Sequence, residues 1–160
     1  MTIPYRGNTG LGCYFLTSAS YQKIAVFQTD RMAGLLLEVM FHYRKQGKYQ
    51  LHEFVIMPDH IHLMLTPTDT VEKAMQLIKG GFSFRAKKEL GYSGEIWESS
   101  FYDRRIRDLR EYCQFREYIH VNPIKARLSE AAESYRYSSA SPGCLLDPSP
   151  QRLKPAGLAG

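Results

Sequence analysis

Two apolar runs, "YQLHEFVIM" (49–57) and "HIHLMLTP" (60–67), stand on either side of Pro58-Asp59, and no other feature limits the fold so tightly. Short runs of this kind joined by a turn dipeptide predict a β-hairpin. Side chains two apart on a strand share a face, so His60 and His62 lie side by side while Ile61, Leu63 and Leu65 line the opposite face. A lone hairpin is marginal in water, so the flanking chain has to cover that apolar face.

The flanks supply the cover. "CYFLTSASY" (13–21) reads as a first strand, and from Arg31 the spacing of Met32, Leu35, Leu36, Val39, Met40 and Tyr43 predicts a helix. Thr29 or Asp30 caps it and Gly47 stops it. A second helix is expected over 71–90, capped by Asp69 or Thr70 and weakened in its middle by Gly80-Gly81. "GEIWESSFYDRRIRD" (94–108) reads as a strand or extended segment. A third helix is expected from Leu109 to Val121, broken at Asn122-Pro123 because the residue before proline avoids helical dihedrals.

The βαββαβ order predicts an α+β, ferredoxin-like fold: one antiparallel sheet, two helices on one face, and an added C-terminal helix. Residues 1–140 are expected to form a single domain. Residues 141–160, rich in Pro, Gly and Ser, are expected to form an extended or flexible tail.

Cys13, Cys113 and Cys144 are odd in number and far apart, which argues against a disulfide framework and a thiolate metal site. No apolar run approaches the roughly 18 residues of a membrane span, and the opening segment lacks the apolar core of a signal peptide. A cytoplasmic location is expected. Lys and Arg total 21 against 16 Asp and Glu, a net charge of +5, which favours a polyanionic partner without naming one.

A histidine pair on one strand face is either hydrogen-bonded structure or half of a metal site, since neutral imidazole is the commonest metal ligand. No Cys, Asp or Glu at ordinary spacing completes a zinc pattern in the same segment. "REYIHVNPIKARL" (116–128) offers the missing parts: Tyr118 and Asn122 are four apart on one helical face, with Gln114 one turn behind. Packed on the open sheet face, that helix would bring a phenol and a carboxamide oxygen to the histidines. Tyr118 is then a nucleophile, and Asn122 a third ligand; otherwise Tyr118 is one more core or surface tyrosine. His42, His52 and His120 have no evident facing partner and read as structural or solvent-facing. Glu53, Asp59 and Glu117 receive no role.

"MPDHIHLMLTP" (57–67) resembles the His-hydrophobic-His segment of the HUH single-tyrosine transposases, and "YIHVNPIKARL" (118–128) resembles the tyrosine motif of their REP-associated branch. "IWESSFYDRRI" (96–106) and "YRYSS" (135–139) are similar to further segments of the same domain, in the same order, so the likeness spans about residues 10–140. The resemblance implies that His60 and His62 bind a divalent metal, Mg²⁺ or Mn²⁺, with help from Asn122. It implies that Tyr118 attacks single-stranded DNA, leaving a 5′-phosphotyrosine and a free 3′-hydroxyl. It also implies a palindromic, hairpin-forming substrate. Better-known insertion-sequence relatives carry Gln where Asn122 stands. No G-x-x-x-x-G-K-[ST] loop for a nucleotide cofactor is present.

The basic residues Arg85, Lys87, Lys88, Arg104, Arg105, Arg107, Arg110, Lys125 and Arg127 are interleaved with Phe82, Phe84, Trp97, Phe101 and Tyr102, a composition suited to a single-strand path. The same charges also fit a solvated surface, and the same rings a core. A second reading of the whole chain is a non-catalytic DNA or RNA hairpin-binding module. The short connection at Asp108 favours a monomer with the tyrosine helix folded back on its own sheet over a dimer that exchanges it.

Overall fold

A computed structural model describes residues 12–150 and Leu153; the remainder of the expected tail lies outside them. Four strands, β1 (Cys13–Ala19), β2 (Tyr49–Met57), β3 (His60–Pro67) and β4 (Tyr102–Ile106), form one sheet in the order β2-β3-β1-β4. All three pairings are antiparallel, so the ferredoxin-like expectation holds. The predicted hairpin is present with Met57 opposite His60, and Pro58-Asp59 forms the turn.

Helices α1 (Asp30–Lys45) and α2 (Val71–Leu90) cover one face. Of the alternative caps, Thr29 and Thr70 are used: each hydroxyl accepts a backbone N–H, from Met32 at 3.2 Å and Lys73 at 3.1 Å. Ile61, Leu63 and Leu65 point into this layer against Leu36, Met40 and Ile78, all fully buried. Gly81 has a reason beyond propensity. A Cβ there would meet the Tyr43 ring at 3.0 Å and Val39 Cγ1 at 3.2 Å, so its bareness lets α1 and α2 approach.

The other face carries α3 (Leu109–Lys125), which docks through Tyr112 and Ile119 onto Phe15, Val55 and Met64. One expectation is narrowed here and one corrected. Of residues 94–108 only Tyr102–Ile106 forms a strand, and before it Ile96 and Trp97 pack against the α1/α2 layer. And α3 does not stop at Val121. It runs through Pro123 to Lys125, because a proline this near the end removes a single helical hydrogen bond and its ring is buried. The helix stops where Arg127, at φ 60°, turns left-handed and its N–H bonds to the Ile124 carbonyl at 3.0 Å.

Beyond α3 the chain returns along the free edge of β2. The Ile56 and Ser139 N–H groups pair with the Tyr137 and Phe54 carbonyls, which blunts that edge. The first part of the expected tail is tied down by Asp147, whose carboxylate accepts from Arg44 Nε at 2.9 Å and the Leu51 N–H at 2.8 Å. No helix among the described residues is long and apolar enough to cross a membrane.

Candidate active site

The antiparallel register of β1 and β3 sets the geometry of the histidine pair. Thr17 lies opposite His62, and its hydroxyl bonds to His62 Nδ1 at 2.8 Å. His60 Nδ1 bonds to the Asp59 carboxylate at 2.7 Å. Both rings therefore have Nδ1 engaged and Nε2 left over, and their centroids are 4.8 Å apart. The Nε2 atom of His62 is buried and makes no hydrogen bond to a described residue. Burial, reinforced by His60 and Lys23, holds the His62 imidazole down to about 3, so this ring is neutral across the physiological range.

Rings fixed through Nδ1, each presenting Nε2, are what a metal site needs from its histidines and from the groups that orient them. Among the described residues no three His, Cys, Asp or Glu side chains converge. Two imidazoles presenting Nε2 fit two positions of a divalent ion.

Tyr118 comes from the opposite layer. Its ring stands edge-on to His62 at 5.2 Å and to Phe15 at 5.9 Å, and 45% of the residue is exposed. A cleft of about 460 Å³ opens beside it, floored by Phe15, Thr17 and His62 and walled by Gln114 and Phe115. Asn122 is half-buried one turn further along α3 and does not line this cleft, whereas Gln114, one turn back, does.

The sequence reading of His120 changes. Its Nε2 lies 2.7 Å from Glu53 Oε1, and the same oxygen accepts from the Ser139 hydroxyl at 2.6 Å. A β-bulge makes this contact. Leu51 and Glu53 pair with the consecutive residues Leu65 and Met64, so His52 is an extra residue in β2. The bulge turns both His52 and Glu53 toward α3, where His52 packs against the Tyr112 ring and Glu53 holds His120. Hydrophobic spacing could not reveal this pair, because a bulge breaks the period of two on which such reading depends. The result is a polar clamp two residues from Tyr118 that ties the tyrosine helix to its own sheet.

The expected basic residues divide into two groups. Arg104 lies at the cleft, with its guanidinium 5.5 Å from the Phe115 ring centroid and hydrogen-bonded to Glu111 at 2.9 Å. Arg107 also bonds Glu111, and these contacts, led by the Arg107 side chain and N–H, hold the Glu111 carboxyl down to about 2. Arg105, Arg110, Lys125 and Arg127 are exposed on β4 and around α3. Arg85, Lys87 and Lys88 are on α2, across the sheet from Tyr118, and Arg85 is paired with Glu89 and Glu38. Of the interleaved aromatics, Phe82 is core, Trp97 and Phe101 pack on the core, and Phe84 and Tyr102 are exposed.

The family of IS200-like transposases matches residues 14–122, which spans the sheet, the histidine pair, Tyr118 and Asn122. The chain belongs to that family. A Haemophilus influenzae protein provisionally named a REP-associated tyrosine transposase is 25% identical over 143 residues, 80% of this chain and 79% of its own. The REP-associated tyrosine transposase of Escherichia coli is 22% identical over 94 residues, 57% of this chain and 54% of that one. In three dimensions the chain is similar to a REP-associated tyrosine transposase solved bound to a REP hairpin, with TM-score 0.70 and 21% identity over 86% of this chain and 82% of that one. At that identity the structural likeness speaks for the fold. The branch and the enzyme class expected from the sequence agree with these relatives.

Proposed function

We propose that this chain cuts and rejoins single-stranded DNA at hairpin-forming repeats, using Tyr118 as nucleophile beside a divalent metal held by His60, His62 and the Asn122 amide. The observation that carries the reading is the histidine pair: two rings anchored through Nδ1, one with a buried, unpartnered Nε2, with an exposed tyrosine edge-on above it. A divalent ion bound there would draw charge from the scissile phosphate, and Mn²⁺ suits nitrogen ligands better than Mg²⁺.

The chain's own groups do the rest. Tyr118 Oη bonds to phosphorus as the bond from phosphorus to the 3′-oxygen breaks, and the phenolic proton is balanced by the proton on the released 3′-hydroxyl. A phosphodiester is exchanged for a phosphodiester, so the step reverses for rejoining and needs no nucleotide cofactor. Thr17 and Asp59 keep the imidazoles in one orientation, and the Glu53–His120 clamp keeps α3 over them. Hairpin DNA as substrate is supported by the relative solved with a REP hairpin. The catalytic unit is read as residues 1–140, acting as a monomer with the helix in cis.

The test is an SDS-resistant adduct on labelled single-stranded DNA from repeats beside the gene. The reading expects an adduct with Mn²⁺ or Mg²⁺ that EDTA, Tyr118→Phe or His62→Ala abolishes. Tight hairpin binding with no adduct under either metal would replace it with a binding module.

A further inference from the structure

Just past β1 the backbone is strained at Gln22 (φ 52°) and Lys23 (φ 59°), the one adjacent pair of non-glycine residues in the left-handed region among the described residues. Such a pair lasts only where its surroundings fix it. Here the Gln22 N–H donates to the Glu98 carboxylate at 2.6 Å, the Tyr21 N–H to the Ile96 carbonyl at 2.8 Å and the Lys23 N–H to the Ser20 carbonyl at 3.1 Å. Ser20 is in turn fastened to the hairpin turn, its N–H and hydroxyl both donating to the carbonyl of Asp59, the residue whose carboxylate orients His60. The turn and the histidine pair are therefore one rigid piece.

Glycine would adopt this turn without strain, yet the chain sets a lysine there. Its place is given by the register of β1: Phe15 comes first, Thr17 lies opposite His62, Ala19 opposite His60, and Lys23 follows. Tyr118 stands at the first end, against Phe15 and His62, so Lys23 lies at the other. Lys23 is exposed, and its ammonium makes no hydrogen bond or ion pair with a described residue. Its charge nevertheless reaches the His62 ring, where it adds to burial and His60 in keeping the imidazole neutral. In-line displacement at phosphorus asks for that order, with attacking and leaving oxygens on opposite sides.

We infer that Lys23 is the general acid for strand cleavage, its ammonium set at the leaving 3′-oxygen across the histidine pair from Tyr118. The inference rests on the strand-transfer reading and assigns the residue at the far end of the reaction. As Tyr118 Oη bonds to phosphorus, the phenolic proton passes to water. The bond from phosphorus to the 3′-oxygen breaks with its electron pair on that oxygen, and Lys23 gives it a proton. The amine then regains one from water, so no proton is gained or lost overall. An alkoxide is a poor leaving group, and an ammonium both offsets its charge and protonates it. In rejoining, the Lys23 amine takes the proton of the attacking 3′-hydroxyl.

The test replaces the scissile 3′-oxygen with sulfur, whose thiolate leaves without needing a proton. Adduct rates are compared with Mn²⁺ on the oxygen and sulfur strands. Lys23→Gln, at an exposed position, should melt as the unaltered chain does and form the adduct about a hundredfold more slowly on the oxygen strand. On the sulfur strand it should come within about threefold of the unaltered chain, because the step that needs the acid is gone. Tyr118→Phe should form no adduct on either. A rate that Lys23→Gln leaves unchanged on the oxygen strand, or lowers equally on both, would overturn the assignment and leave strand transfer standing. No adduct from the unaltered chain on either strand would sink strand transfer, and the assignment with it.

Discussion

The two faces of the sheet are built for different purposes, although the same strands make both. Beneath α1 and α2, Ile61, Leu63 and Leu65 are sealed among apolar side chains. Beneath α3 the apolar cluster is smaller and shares its surface with Thr17, His62, Glu53 and a cleft. On the proposed reading, alternation along β3 assigns successive residues to stability and to chemistry, and each kind can be altered with little effect on the other.

Neighbours on β3 give the sharpest separation. His62→Ala should abolish adduct formation, while Leu63→Ala should lower stability by about 2–5 kcal/mol and leave adduct yield per folded molecule intact. Denaturant titration beside the adduct gel reads both, and a Leu63→Ala protein that is folded but inactive would break the division of labour.

The clamp tests how α3 is held. Glu53→Ala should slow adduct formation about ten- to a hundredfold with hairpin affinity unchanged, because on the proposed reading it displaces the nucleophile and no DNA contact. Glu53→Gln, which still offers a hydrogen-bond acceptor to His120, should recover most of the rate. Equal loss of affinity and rate would make Glu53 a DNA contact instead.

Glu111 sets a pH dependence on the α3 side. Its carboxyl is held below the usual range in the folded chain, so its contribution is fully present above about pH 4.5 and is lost as the pH falls toward about 2. Glu111→Gln should flatten the acid limb of the stability curve over that window. On the helical side the expected effects are smaller. Gly80→Ala, into open space, should stabilise by about 0.5–1 kcal/mol, and Gly81→Ala, against Tyr43 and Val39, should gain less or lose, as thermal melts would show.

What the sequence discloses follows the same divide. The hairpin, α2 and the burial of Ile61, Leu63 and Leu65 are legible because period and caps are local signals. So is the sharing of a face by His60 and His62. The Glu53–His120 contact is not, because it depends on a bulge at His52, and neither is the course of α3 through Pro123, which burial in the last turn permits. Charge clustering also fails to separate layers: Arg85 and Arg104 look alike in sequence and lie across the sheet from one another. Gln114 shares a helical stripe with Tyr118 and Asn122, but only the docked helix shows that it faces the cleft.

The central claim is that the tyrosine presented over His62 is the group that takes the phosphate. The most direct measurement is to trap the adduct with Mn²⁺, digest protein and DNA, and locate the nucleotide remnant by tandem mass spectrometry. The account predicts a single modified peptide with the phosphate on Tyr118. A remnant on Tyr102, Tyr112 or any other residue would contradict it.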